Sequence, residues 1–184
     1  MITIRPLAQL TLHDLEHIAS GYTSDSKYAV TVAHQHNGLT FKLERIRLDQ
    51  PYVKRWEHDV DTAIHYTQML TVGYSFGAYD NNLLIGLTIA AAQEWNRSLW
   101  VWEFHVAETH RGLGIGKQLM EATAEKARTA GFRTLVCETQ NTNATAVDVY
   151  RKLGFQIEGI DLSYYSNQDY PDGEIAIFMK RRLL

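Results

Sequence analysis

The sequence holds a single cysteine, Cys137, and only three prolines, Pro6, Pro51 and Pro171. One thiol closes no internal disulfide and makes no metal site by itself, so a reducing compartment is the simplest expectation. Each proline falls at an expected boundary between elements, and no Pro/Gly-rich linker, low-complexity tract or internal repeat is present. No segment approaches the ~20 apolar residues that span a bilayer. The N-terminal stretch has no apolar centre, because His13, Asp14, Glu16 and His17 interrupt it, which argues against a secretory leader. Positive charge is not in excess either. Lys and Arg number 18 against 21 Asp and Glu, a net charge of -3, whereas a general nucleic-acid binder shows a basic face or stripe. The expectation is a cytoplasmic protein with neither a membrane nor a nucleic acid as partner.

What is there suits an enzyme-sized domain. With 184 residues, 45% of them hydrophobic, residues 1–184 are long enough for one domain with its own core. Thr3 to Arg5 reads as a short strand, and Leu10 to Ser20 as a helix with Leu12, Leu15 and Ile18 on one face and Gly21 at its C′ position. Val30 to His36 and Leu39 to Leu48 read as strands joined by Asn37-Gly38, a dipeptide that accepts positive φ at both turn positions. Pro51 suits the first turn of a helix running to about Met69. Gly73 to Tyr79, Leu83 to Gln93 and Leu99 to Val106 read as strands of an antiparallel meander. The pattern then changes to a glycine-rich loop over Thr109 to Gly116 and a helix over Lys117 to Ala130 closed by Gly131. A strand over Thr134 to Glu138 follows. That unit predicts a crossover between parallel strands. A helix over Asn143 to Leu153 and strands over Phe155 to Leu162 and Glu174 to Lys180 complete a mixed sheet with helices on it.

Three kinds of phosphate-binding loop compete for Arg111-Gly112-Leu113-Gly114-Ile115-Gly116-Lys117. All use glycines that let backbone N–H groups converge at a helix N-terminus. A nucleotide P-loop needs glycine where Arg111 stands and Ser or Thr where Gln118 stands. The dinucleotide fingerprint needs a third glycine at Lys117 or at Leu119, and neither is one. Arg111-x-x-Gly114-x-Gly116 instead resembles the cofactor loop of the GNAT N-acetyltransferase superfamily. One strand later, Asn143-x-x-Ala146-x-x-x-Tyr150-x-Lys152-x-Gly154-Phe155 resembles that superfamily's second block. At ~100° per residue, Asn143, Ala146 and Tyr150 share one helical face. Each residue also has an ordinary reading: Asn143 as an N-cap, Tyr150 as a core aromatic, and the glycine loop as a tight turn.

The resemblance implies a fold and a site. The fold is α+β (a three-layer α/β arrangement): a mixed, mostly antiparallel sheet with one splayed parallel pair and helices on both faces. Acetyl-CoA is the implied cosubstrate, without a metal. Its pyrophosphate belongs with Arg111, Gly112, Leu113, Gly114, Ile115, Gly116 and Lys117. Its pantetheine belongs with the backbone of Phe104, His105 and Val106 and with Asn143, Ala146, Tyr150 and Lys152.

The implied reaction is direct attack of an amine on the thioester. An alkyl ammonium has a pKa near ~10.4, so freeing its lone pair at neutral pH costs roughly 4–5 kcal/mol. Glu103 is the first candidate base, through a water, and Glu138 the second. The ordinary reading of Glu103 is a carboxylate that only orients substrate or pairs with a cation. Tyr150 stabilises the departing thiolate. A phenol (~10) is a weaker acid than a thiol (~8.5), so it acts largely as a hydrogen-bond donor.

The segments Pro51-Tyr52-Val53-Lys54, Trp95-Asn96-Arg97, Glu138 to Asn143 and Tyr165-Ser166-Asn167 look like those of streptothricin acetyltransferases. That likeness implies a small cationic amine, the β-lysine amino group of such an antibiotic, met by Glu103, Glu138, Trp95 and Tyr165. The strand Trp102-Glu103-Phe104-His105-Val106 departs from the family's paired acids and loses one negative charge. Glu57, Asp59, Asp61 and Glu94 could line an acidic cleft or simply be solvated surface. A protein N-terminal or lysine acetyltransferase, and a CoA-binding sensor without turnover, remain alternatives, and a homodimer stays open. His13-Asp14-Leu15-Glu16-His17 matches an inverted zinc-protease pattern but reads as a polar helix face. His34-x-His36 reads as exposed strand, and Cys137 as a small core residue.

Overall fold

A computed structural model describes residues 1–183. In chain order they form β1 (Ile2–Pro6), α1 (Leu12–Ile18), β2 (Gly21–Gln35), β3 (Gly38–Arg55), α2 (Val60–Leu70), β4 (Phe76–Asp80) and β5 (Leu83–Gln93). These are followed by β6 (Ser98–Val106), α3 (Ile115–Thr129), β7 (Thr134–Gln140), α4 (Ala144–Lys152), β8 (Gln156–Asp161) and β9 (Ala176–Arg182). The chain divides into two compact units: Met1–Ser20, Arg55–Cys137 and the chain from Arg181 form the first, and Gly21–Lys54 with Glu138–Lys180 the second. Among the described residues no helix is long and apolar enough to cross a membrane.

In the first unit β5 is the central strand. It is buried continuously from Leu84 to Ala90, as a strand covered on both faces must be. It pairs antiparallel with β4 and β6, and β4 pairs antiparallel with β1. β6 and β7 form the parallel pair, from Ser98↔Thr134 to Val101↔Cys137, with α3 as the crossover between them. Ile85 faces α3 in a cluster with Ala78, Ile115 and Leu119. Leu84, Leu87 and Ile89 pack on the other face with Leu15 and Ile18 of α1 and Ala63 and Leu70 of α2. This gives the expected mixed sheet between helical layers. A buried hydroxyl pair, Thr88 with Thr123 at 2.8 Å, ties β5 to α3, and Thr123 donates onward to the Leu119 carbonyl.

In the second unit β2 and β3 form a two-stranded hairpin, β8 and β9 pair antiparallel, and α4 packs on β2. Asn141 is the hub. Its backbone N–H donates to the Ile175 carbonyl and its carbonyl accepts from the Tyr28 N–H. Its side chain donates to the Tyr28 carbonyl and accepts from the Ile175 N–H, at 2.8 to 3.0 Å.

Several expected boundaries move. Pro51 does not open a helix; it lies within β3, on a ribbon where outward N–H groups need no ladder partner. The start signal of α2 is Asp59, whose carboxylate accepts from the Thr62 N–H and hydroxyl, both at 2.7 Å. The β2–β3 turn falls at His36-Asn37, and neither Asn37 nor Gly38 has positive φ. Helix α1 ends at Ile18 with Ala19 as its C-cap. Gly21, at φ +117, opens β2 instead of closing that helix.

Candidate active site

The segment between β6 and α3 is a turn with two left-handed glycines. Gly112 sits at φ +80 and Gly114, the N-cap of α3, at φ +77. L-residues with a Cβ disfavour this region, so the sequence folds here because glycine stands at both places. A Cβ on either would meet nothing within 4 Å, so neither is glycine for packing. Gly116 is different. Its Cβ would lie 3.0 Å from the Phe104 ring, so it allows α3 to approach β6. Arg111 braces the turn by donating from Nε to the Val106 carbonyl at 3.1 Å. Its own N–H donates to the Glu108 carbonyl, and the Gln118 N–H begins the helical ladder by donating to Gly114. Among the described residues no protein group accepts from the amides of Gly112 through Lys117, and no side chain caps the helix. An exposed row of amides at a helix N-terminus can receive a phosphate or diphosphate.

The other end of the chemistry lies on β6. The β5–β6 register passes from Ile89↔Glu103 to Ala90↔Val101, so Trp102 is bulged out of the ladder. Beyond the bulge the strand alternates: Phe104 and Val106 turn toward the α3 cluster, whereas Glu103 and His105 share the opposite face. There the Glu103 carboxylate is held at both ends. Oε1 accepts from the Tyr66 hydroxyl of α2, and Oε2 lies 2.6 Å from His105 Nε2. Trp56 meets the His105 ring edge-on, centroids 5.2 Å apart, and His58 bonds the Ala19 carbonyl at 2.8 Å. Burial alone would raise the Glu103 carboxyl. The bond and charge of His105, the Tyr66 hydroxyl and the charge of His58 outweigh it and leave the group below the usual carboxylate value. Burial and the Glu103 anion push the Tyr66 phenol up, so it stays protonated and donates. Tyr66, His58 and Trp56 were not singled out in the sequence. Their only signal is a polar and aromatic residue on each side of a helix start, which many surface helices share.

In the second unit, Tyr150 stands in the last turns of α4, 7% exposed, its ring centroid 5.5 Å from that of Phe155. Asn143 caps α4: its Oδ1 accepts from the Ala146 N–H at 3.1 Å. Ala146 is partly exposed and Lys152 exposed. Glu138 accepts from the Tyr165 hydroxyl. Desolvation and the Glu138 anion push that phenol up. A second carboxylate, Glu174, was missed by sequence reading. It accepts from Tyr22, Tyr52 and Thr142, each at 3.1 Å, and pairs with Lys54. The Lys54 ammonium lies 6.0 Å from the centre of the Tyr165 ring. The Pro51-to-Lys54 and Glu138-to-Asn143 segments thus share this unit's polar cluster.

Trp95, 85% exposed, sits on the short turn Glu94–Asn96 between β5 and β6. Glu103 lies five residues up β6 from Ser98, roughly 16 Å at ~3.3 Å per residue. The structure therefore does not bring Trp95 to Glu103. Glu57, Asp61 and Glu94 are exposed, and Asp59 is spent as a helix cap. Cys137 is fully buried. Among the described residues no His, Cys, Asp and Glu cluster could hold a metal, and in the His13-to-His17 segment Asp14 closes a capping box with Thr11.

Residues 41–155 match the model of the acetyltransferase (GNAT) family. The chain is 31% identical to streptothricin acetyltransferase of Streptomyces lavendulae, over 90% of this chain and 86% of that one. The crystal structure of a nourseothricin acetyltransferase superposes with a TM-score of 0.75 at 31% identity, covering 100% of this chain and 99% of the other. A streptothricin acetyltransferase homologue from Bacillus anthracis, solved in complex with acetyl coenzyme A, shares the fold. Its TM-score is 0.74 at 22% identity, covering 99% of each chain.

Proposed function

The chain belongs to the GNAT acetyltransferase family, and from that premise we propose that it acetylates the β-lysine amino group of streptothricin-type antibiotics. It is an acetyl-CoA-dependent N-acetyltransferase close to the streptothricin acetyltransferases. The proposal narrows the acceptor from amines in general to a small polycation. It is supported by likeness over nearly the whole chain to a relative named for that antibiotic.

The observation that carries the cofactor side is the row of amides from Gly112 to Lys117 with no protein acceptor among the described residues. A charge-assisted hydrogen bond is worth roughly 1.5–3 kcal/mol, and the exposed helix dipole adds only about 0.3–1 kcal/mol. The cradle therefore works by converging N–H groups, and the two left-handed glycines are what aim them. Acetyl-CoA supplies the acetyl group as a thioester open to attack by an amine. Past the bulge at Trp102, the edge of β6 turned away from β5 runs through Phe104, His105 and Val106, and it is where the pantetheine amides would lie; the Val106 carbonyl on it already accepts from Arg111. Tyr150 donates a hydrogen bond to the developing thiolate, and Glu138 and Tyr165 offer an anion and an aromatic face to a cationic acceptor. The Glu103 carboxylate, its oxygens already engaged, bears the negative charge near the β6 bulge and positions its neighbours.

The test of the acceptor is thiol release from acetyl-CoA. Streptothricin should give rapid release, whereas peptides with free N-termini, lysine peptides and simple polyamines should be inert. Turnover with peptides and none with streptothricin would move the acceptor to proteins. Thermal stabilisation by CoA with no thiol release under any amine would make the chain a sensor.

Asn143 has two proposed duties that substitutions separate. Asn143→Ala loses the cap, at a cost of about 1 kcal/mol. For a domain of this size that lowers the Tm by roughly 2–4 °C, and acetyl-CoA KM should rise severalfold. Asn143→Asp keeps the capping oxygen and removes the amide donor. Differential scanning calorimetry should show the Tm restored, with the raised KM persisting. A restored KM would leave Asn143 a cap alone.

A further inference from the structure

We infer that His105, held by Glu103, is the group that takes the proton from the substrate ammonium. The inference rests on the acetyl-transfer reading above and deepens its chemistry. It starts from how fully Glu103 is used. One oxygen accepts from the Tyr66 hydroxyl and the other faces His105 Nε2 at 2.6 Å. An ionised carboxylate only accepts, so Nε2 must carry the hydrogen and the lone pair of the neutral ring lies on Nδ1. A base oriented by a carboxylate on its far nitrogen is a recurrent catalytic arrangement. No protein partner for Nδ1 is found among the described residues.

Basicity points the same way. Burial opposes ionisation of Glu103, but His105, Tyr66 and His58 hold its carboxyl below the usual value. That weakens it as an acceptor for a proton from an ammonium near ~10.4. A base serves best when its own affinity for protons lies close to the working pH, and an imidazole (~6.5) is by nature closer than a carboxylate (~4.3). Two further titratable groups belong to this pocket of the first unit: Tyr66, which stays protonated, and His58, whose Nε2 is engaged with the Ala19 carbonyl. β5 presents Leu87 opposite His105 and Ile89 opposite Glu103, neither of which titrates. Trp56 closes the ring's edge.

The ammonium gives one proton to Nδ1, directly or through a water. The freed nitrogen lone pair forms the C–N bond to the acetyl carbon, and the C–S electron pair leaves with sulfur. Sulfur takes the second nitrogen proton, giving amide and free thiol, and His105 returns the first proton to water.

Two measurements decide it. Long-range nitrogen–proton correlation spectra of the 15N-labelled protein should show the neutral His105 ring protonated at Nε2. A ring protonated at Nδ1 would overturn the dyad. In thiol-release kinetics with streptothricin, wild-type kcat/KM should climb with rising pH as the catalytic base loses its proton. His105→Gln should lose that acidic limb and roughly a hundredfold in kcat, with acetyl-CoA KM held within about twofold. Glu103→Gln should depress kcat while keeping the limb. His105→Gln with the wild-type limb and kcat refutes the inference. Where the wild type does not acetylate streptothricin, the acceptor reading fails, and the ring tautomer still decides the dyad.

Discussion

Gly114→Glu should abolish acetyl-CoA binding measured by isothermal titration, while the protein still unfolds cooperatively. The residue is the N-cap of α3 at φ +77, with open space where a side chain would start. A glutamate there carries two separate penalties. Strain at a left-handed position costs about 1–2 kcal/mol, which in a domain of this size lowers the Tm by only a few degrees. The second acts on the ligand. The carboxylate lies beside the amides of Gly112 to Lys117, which have no protein acceptor among the described residues, takes their hydrogen bonds, and repels an incoming diphosphate. Losing two charge-assisted bonds is worth about 3–6 kcal/mol, a weakening of a hundred- to ten-thousandfold. Gly114→Ala isolates the strain: its Tm should fall comparably while the affinity stays within about tenfold. Unchanged affinity in Gly114→Glu would mean the pyrophosphate sits elsewhere.

The parts of the fold that sequence revealed are those whose signals are local. The helix Ile115–Thr129 is rich in strong helix formers and is followed by Gly131 at φ +81. β5 is a continuous apolar run, and its expected limits coincide with the observed Leu83–Gln93. The long hairpin was under-read for a physical reason. The first residues of β2 do alternate between buried and exposed, but Ser24 and Ser26 fill buried places. Ser24 donates to the Ser26 carbonyl and Ser26 accepts from Arg45. A strand that buries satisfied hydroxyls has no hydrophobic periodicity to find. Pro51 misled because its fixed φ suits a helix start and an exposed ribbon alike.

The candidate site divides along the same line. The glycine loop and the Asn143-to-Phe155 block are contiguous, so residue identity and spacing exposed them. The surroundings of Glu103 were not legible. Tyr66 comes from a helix whose start was misplaced, and His58 from the segment before it, so only tertiary packing brings them to β6. His105 entered the sequence reading only through its backbone, within the strand Trp102-Glu103-Phe104-His105-Val106. Its meaning as the partner of Glu103 needed the side-chain geometry beyond the bulge. Asn141 shows the converse. It belongs to a segment that resembles relatives, yet its four hydrogen bonds are all to the backbone of its own unit, so there the resemblance reflects architecture.

Tyr150→Phe should lower kcat between a hundred- and a thousandfold, with acetyl-CoA KM held within about twofold. The substitution is selective because the ring is what packs: Tyr150 is 7% exposed and its ring lies 5.5 Å from Phe155, and phenylalanine keeps both. The α4 C-terminus is also untouched, since Leu153 and Phe155 donate to the Tyr150 main-chain carbonyl. What is removed is the hydroxyl proposed above to donate to charge developing on the leaving sulfur. Loss of one such donor costs about 2.7–4 kcal/mol of barrier and leaves ground-state binding alone. The phenol (~10) sits above the thiol (~8.5), so complete proton transfer is uphill by roughly 2 kcal/mol. The expectation is therefore a hydrogen bond to sulfur and no transferred proton. Fluorotyrosine at position 150 acidifies the phenol and should change kcat only weakly, whereas a true general acid would respond steeply. An unchanged kcat in Tyr150→Phe would reduce the residue to its packing and require the thiolate to leave unassisted.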